Sequence, residues 1–383
     1  MSDLFIPGQT VGIIGGGYQA RLLGLAAKTM GYHVGILAAE NDCLASDIAD
    51  WQVVADVNDE MGLFTLAEKS DVITTTTPIV TPALLEGLDE YVSIPESIEL
   101  FKFSQDRLLK RLFLEEANIN IPPYNVITKM TDLEATVDSI GFPCVLKTVS
   151  PLENEEDELV LNKMADMRYA MEMVSKQTCI LEATIPFEKE IIVSIAGNGN
   201  GEYTIFPLVD VSLNSDNRTF RSIVPAGIAG EIKTEIKRVV QLIAETLSLQ
   251  GLLTVELLVT EHGLIYVHDL QHGPHHGGNY TLEGTNLSQY EAHLRGLFGW
   301  KLPEIELIKS AVSQEIVGDK MVDTISCIPF YNNWYHHYYG RSSFNPDEIV
   351  GHVTVLTDSV STTLEEINKT QIWDKPFQIK GEN

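Results

Sequence analysis

The sequence predicts an α/β protein that opens with a doubly wound domain and continues into mixed α+β lobes. Three observations carry that expectation. Residues 11–38 run an apolar strand, a glycine turn, a helical segment and a second apolar strand. Strand-period and helix-period apolar segments then alternate, the pattern of layered α/β architectures. The chain has 383 residues and is 44% hydrophobic, enough for two or three lobes with cores of their own.

In the first domain, Val11 to Ile14 and His33 to Ala38 read as strands around a helix from Ala20 to Met30, which makes one βαβ unit. Gly15, Gly16 and Gly17 form the turn between strand and helix, where backbone N–H groups can approach an anion. NAD binding is one reading of that turn. Ala20 stands where the dinucleotide fingerprint has its third glycine, so a tight turn in a Rossmann-like lobe is the alternative. Val53 to Ala55 and Asp71 to Thr74 complete the domain, which ends near Ile94. Ser97 to Ala117 reads as one helix, and the stripe Leu108, Leu109, Leu112 and Leu114 implies a buried face.

Pro122 and Pro123 break the chain before a strand at Tyr124 to Ile127, a helix at Asp132 to Ile140 and a strand at Cys144 to Thr148. Strands follow at Cys179 to Ala183, Glu190 to Ala196 and Thr204 to Leu208, with a turn at Asn198 to Gly201. A helix at Glu231 to Leu247 precedes an apolar hairpin, Leu252 to Thr260 and Leu264 to Leu270.

The 26 basic and 54 acidic residues give a net charge of −28, which argues against nucleic acid or an anionic membrane as partner. A polyanionic ligand would have to be held by local cations or helix N-termini. No apolar run is long enough for a membrane span and Met1 to Thr10 does not resemble a signal peptide, so a cytoplasmic protein is expected. Cys43, Cys144, Cys179 and Cys327 are far apart and read as reduced thiols.

A family resemblance runs through these segments in order. Gln105 to Lys110 (QDRLLK), Gly141 to Thr148 (GFPCVLKT), Ile180 to Ile192 (ILEATIPFEKEII), Thr254 to Leu258 (TVELL) and Gly351 to Thr357 (GHVTVLT) are similar to motifs of the carboxyaminoimidazole ribonucleotide synthetases, ATP-grasp ligases of purine biosynthesis. The resemblance implies a Rossmann-like preATP-grasp domain at 1–96 and an ATP-grasp domain at 97–300, with a small lobe at 97–178 and a large lobe at 179–300. A small C-terminal β-rich closing domain would occupy 301–383. It also implies ATP and Mg2+ as cofactors, a small-molecule substrate and a homodimer. Carried over by position, Arg107 and Lys147 face the phosphates, Glu182 and the backbone near Ile185 read the adenine, and Glu190 holds the ribose. Glu256 and Asp269 are the magnesium ligands; Gly15, Gly16, Gly17, His275 and Arg341 lie towards the acceptor substrate.

Several positions depart from the family pattern. The glycine-rich phosphate loop is replaced by Val149 to Glu158 (VSPLENEEDE), whose carboxylates oppose a triphosphate. The carboxylate-bearing segment of the acceptor site is Thr74 to Pro78, and basic positions are Gly227, Gly273, Phe344, Glu348 and Ile349. Each lost charge-assisted contact weakens binding by about 1.5–3 kcal/mol; Arg21, Arg218, Arg221 or Arg341 would have to compensate. Three functions fit: an ATP-dependent ligase of this family, a non-catalytic paralogue binding a small ligand or partner protein, or a transition-metal enzyme built on His268, His272, His275 and His276.

Overall fold

The computed structural model describes residues 4–150, 157–213, 220–340 and 345–373. The first sheet has four parallel strands in the order Trp51–Val54, His33–Ala38, Thr10–Ile14, Val72–Thr75. Parallel strands need cover on both faces. On one face Val11, Ile13 and Val34 pack with Leu23 of helix Tyr18–Thr29 and with Leu294 and Leu297 of helix Gln289–Leu297, from far along the chain. On the other, Ile14 and Leu37 pack with Leu63, Leu66, Leu85 and Leu88. The doubly wound expectation holds.

The single helix expected over Ser97 to Ala117 is two, Ile98–Gln105 and Arg107–Glu116. Asp106 breaks it by taking extended dihedrals (φ −141°, ψ 100°) and accepting the N–H groups of Leu108 and Leu109, both at 2.9 Å. A short acidic side chain satisfies the orphan donors of a helix start better than it suits a helix interior. The expected buried stripe holds in part: Leu114 is buried and Leu108 partly so, whereas Leu109 and Leu112 are 43% and 44% exposed and Lys110 and Arg111 are buried instead.

The small lobe is an antiparallel sheet in the order Tyr124–Ile127, Cys179–Ala183, Cys144–Thr148, Glu158–Leu161. Helices Met130–Ile140 and Met167–Lys176 pack against it through Leu133, Val137, Ala170 and Val174. A larger sheet runs from Ile265–His272 through Gln250–Val259, Lys189–Asn198, Val209–Leu213 and Phe220–Val224. It continues without interruption into Ser310–Val317, Ile349–Thr357 and Trp334–Tyr338, so strands on both sides of residue 300 share one sheet. The strand expected at Thr204 to Leu208 is replaced by Tyr203–Ile205 and Val209–Leu213, with Pro207, which lacks an N–H, between them. No helix among the described residues is long and apolar enough to cross a membrane.

A buried chain of hydrogen bonds joins the first sheet to the large one. The Leu252 N–H donates to His293 Nδ1 at 3.0 Å, so Nε2 carries the proton of the neutral ring. That Nε2 lies 3.0 Å from Thr74 Oγ1, and the Thr74 hydroxyl donates to Glu96 Oε2 at 2.7 Å. Burial pushes the Glu96 carboxyl up to about 8 and the His293 ring down to about 3, so both stay neutral over most of the physiological range.

Two predictions follow from this packing. A Cβ on Gly296 would lie 2.5 Å from the Gly197 carbonyl oxygen and 2.8 Å from the Gly251 nitrogen, both backbone atoms. Alanine gains about 1 kcal/mol of helix propensity, but overpacking costs about 1–3 kcal/mol, so Gly296→Ala should lower the melting temperature; a rise would refute the close approach. For Glu96, a folded pKa of about 8 against an ordinary 4.5 means that the folded state holds its proton more tightly. Its contribution is therefore greatest below about 4.5 and declines as pH rises towards 8. Glu96→Gln should make the stability difference from wild type shift in the variant's favour between pH 5 and pH 8, measured by denaturant titration (about one pH unit per 1.4 kcal/mol); a pH-independent difference would count against it.

Candidate active site

Helix Arg107–Glu116, the small-lobe sheet and the large sheet meet at a cavity of about 190 Å³. Arg107, Lys110 and Arg111 enter from the helix and Lys147 from strand Cys144–Thr148. Helical spacing at i, i+3 and i+4 puts the three helix cations on one side, the side that is buried. Glu158, Glu256, His268 and Asp269 complete the wall.

Each cation has a carboxylate partner. Lys110 pairs with Asp269. Arg111 Nε donates to Glu182 Oε1 at 2.8 Å, and Lys147 Nζ lies 3.4 Å from Glu182 Oε2 and 3.4 Å from Glu158 Oε1. Arg107 reaches Asp157 and Glu158, each at 3.0 Å, and donates to the Thr148 carbonyl at 3.0 Å. Glu182 is only 3% exposed. Burial works to raise its carboxyl, but Lys147 and Arg111 outweigh that and hold it below the usual range.

The acids of the large sheet are set by an irregularity. Glu256 pairs with Asp269 across the strands, but Leu257 pairs with Val267, which leaves His268 as the extra residue of a bulge. In a regular strand, neighbours point to opposite faces; here His268 and Asp269 both line the cavity. The carboxyls divide in protonation. Burial, then repulsion from Asp269 and Glu190, pushes Glu256 up to about 8. Asp269 is subject to the same burial, yet Lys110 holds it low. His268 is lowered by burial and by Lys147.

The structure brings together most residues expected from sequence. Arg107, Lys147, Glu256 and Asp269 share the cavity, Glu182 stands behind the cations, and Glu190 acts on Glu256 by repulsion. Ile185 lies in the link between strands Cys179–Ala183 and Lys189–Asn198. His275 is 4% exposed, with Nε2 3.7 Å from Glu256 Oε1, and Gly277 N–H donates to its Nδ1. At the glycine turn, Gly15 has φ +117° and a Cβ there would meet Thr76 Oγ1 at 2.7 Å. Gly16 packs against Cys43 and Ala38, whereas Gly17 opens helix Tyr18–Thr29 with free space around it. Arg21 is paired with Asp47, and Arg221 Nε donates to Gln314 Oε1 at 2.8 Å in the interior. Arg341, Phe344, Arg218 and residues 151–156 lie outside the described residues.

Sequence reasoning did not single out Lys110, Arg111 or Asp157, and took His268 only as a transition-metal candidate. The QDRLLKR spacing held the signal for the first two, since Lys110 and Arg111 follow Arg107 at i+3 and i+4 and so share its helical face. The four histidines proposed as a transition-metal set do not converge. His268 faces the cavity, His272 packs edge-on against Phe101 at 5.0 Å, and the His275 and His276 rings meet edge to face at 3.9 Å beside Phe220. Among the described residues no group of three or more His, Cys, Asp or Glu is arranged to hold a metal ion. The mutual repulsion of Glu190, Glu256 and Asp269 is nevertheless a chemistry that suits a hard divalent cation with oxygen ligands.

A model of the ribonucleotide synthetase preATP-grasp domain matches residues 8–104 and one of the ATP-grasp domain matches residues 112–290. The chain is 30% identical to N5-carboxyaminoimidazole ribonucleotide synthase of Staphylococcus epidermidis over 360 residues, 93% of this chain and 94% of that one. Against the Bacillus subtilis enzyme it is 29% identical over 365 residues, 95% and 96% of the two chains. The crystal structure of an N5-carboxyaminoimidazole ribonucleotide synthetase in complex with ADP superposes with a TM-score of 0.93 at 30% identity, covering 98% of this chain and 100% of that one. The Staphylococcus aureus enzyme, also with ADP, gives 0.90 at 28%, covering 96% and 98%. By its cation-lined cleft, its domain matches and its full-length likeness to these proteins, the chain belongs to the N5-carboxyaminoimidazole ribonucleotide synthase family of ATP-grasp ligases.

Proposed function

We propose that this protein uses ATP to activate bicarbonate as carboxyphosphate and transfers the carboxyl group to the amine of aminoimidazole ribonucleotide. The observation that carries this reading is the convergence of Arg107, Lys110, Arg111 and Lys147 opposite the Glu256–Asp269 pair in one cavity. Phosphoryl transfer needs little covalent help from the protein and depends on positioning and on charge around the phosphate oxygens. Arg107 and Lys147 bind those oxygens. Glu256 and Asp269 would hold Mg2+, which would neutralise phosphate charge.

Lys110 holds Asp269 ionised and orients it, and Arg111 keeps Glu182 charged behind Lys147. The backbone at Ile185 and the Glu190 carboxylate take the adenosine, whereas the Glu182 carboxylate, expected at the adenine, is held by Arg111 and Lys147. His275, beside Glu256, and the turn Gly15 to Gly17 lie towards the acceptor, whose phosphate is left to Arg341. The chain acts on small molecules; a homodimer is proposed from family membership.

The reading is tested by a coupled assay of ADP release. ADP should form only when both aminoimidazole ribonucleotide and bicarbonate are present, at a rate two or more powers of ten below that of a relative with intact acceptor cations, because two lost contacts of about 1.5–3 kcal/mol each are only partly additive. ADP release independent of either substrate would sink the reading. A second measurement addresses Lys147. Lys147→Met should weaken MgATP binding by about ten- to a hundred-fold, the loss of one charge-assisted contact, as read by calorimetry. Unchanged affinity would remove Lys147 from the phosphate site.

A further inference from the structure

The cations of the cleft already hold anions belonging to this chain. Arg107 Nη2 lies 3.0 Å from Asp157 Oδ2 and 3.0 Å from Glu158 Oε1, and the same Glu158 oxygen is 3.4 Å from Lys147 Nζ. The backbone sets these contacts. Strand Glu158–Leu161 pairs antiparallel with Cys144–Thr148 in a register that puts Glu158 directly opposite Lys147. The Thr148 N–H donates to the Asp157 carbonyl at 2.9 Å, which continues the ladder by one residue.

Resting on the reading of Arg107 and Lys147 as phosphate ligands, we propose that Asp157 and Glu158 are affinity-setting residues that compete internally with nucleotide phosphates for those two cations. A carboxylate within hydrogen-bond distance takes the donors, and the space in front of them, that a phosphate oxygen needs. Nucleotide binding therefore exchanges carboxylate–cation pairs for phosphate–cation pairs. Leaving is feasible for these two acids, whose side chains are 26% and 45% exposed and reach water by rotation. Glu182, at 4%, has no such route and stays as the fixed counter-charge of Arg111 and Lys147. Once displaced, the two carboxylates still lie near the triphosphate and repel it, less so when a divalent cation accompanies it. Phosphate-bearing ligands bear this cost and the bare nucleoside does not.

The test compares wild type, Glu158→Gln, Asp157→Asn/Glu158→Gln and Lys147→Met by calorimetry with MgATP, and by competition with adenosine. The double variant should bind MgATP at least about ten-fold more tightly than wild type, the single variant should fall between them, and adenosine affinity should be the same in all three. The inference is overturned by MgATP affinity that is unchanged or weaker in both acid variants, or by adenosine tightening in step with ATP, which would mean a general change in the cleft. Lys147→Met separates the two levels of the argument. If it weakens MgATP while the acid variants do not tighten it, competition fails and the nucleotide site stands; if it changes nothing, the site and the competition both fail.

Discussion

The pairing of Lys110 with Asp269 and of Arg111 with Glu182 is the constraint around which the rest of the molecule is arranged. Both cations are buried on one short helix, and their partners lie on two different sheets. For Arg111 and Glu182, both buried, removing one member costs about 3–5 kcal/mol because the other is left as an uncompensated charge. That penalty exceeds the benefit of burying either leucine that the helix turns to solvent, about 1.5–3 kcal/mol each. The helix therefore presents its cations inward, and its orientation fixes both the small lobe and the large sheet relative to the cleft.

With the helix fixed in this way, the charge pattern of the cavity follows from local geometry. The bulge at His268 turns two consecutive residues to the same side, which places Asp269 against Lys110, with Glu256 opposite it across the strands. The difference in carboxyl behaviour between the two acids has that origin: the one beside Lys110 stays charged, and its neighbour is protonated up to about 8. A polyphosphate with a divalent cation meets a surface whose positive and negative sides are already separated. On the other side, the ladder between Cys144–Thr148 and Glu158–Leu161 supplies acids to cations that the helix and the strand expose.

The glycine turn is held to this site from a distance. Helix Gln289–Leu297 packs between the parallel sheet and the large sheet, with Gly296 allowing backbone to approach backbone. The Thr74–Glu96–His293 chain crosses the same boundary. From the C-terminal strands, Tyr339 stacks on Tyr18 at 4.7 Å, directly after the glycines, and its hydroxyl is 2.7 Å from His352 Nδ1. Tethers from both later parts of the chain thus converge on the first helix, so the glycine turn keeps its place beside the larger sheet.

Much of the architecture was legible in the sequence, because apolar periodicity reports which residues share a face and glycine, proline and aspartate report where the backbone turns. The first βαβ unit, the strand Cys144–Thr148 and the strand Cys179–Ala183 were read with their observed limits or close to them. Ordered motifs likewise pointed to Arg107, Lys147, Glu256 and Asp269, which do share a cavity. Periodicity does not say which of two faces is buried. Leu109 and Leu112 were expected inside, and Lys110 and Arg111 are buried instead because their partner carboxylates lie about 70 and 160 residues further along the chain, beyond any local pattern. Tertiary structure alone decided the extra residue at His268, the dispersal of the four histidines and the meeting of Glu158 with Lys147, since strand register is set by pairing between segments and not by either segment on its own.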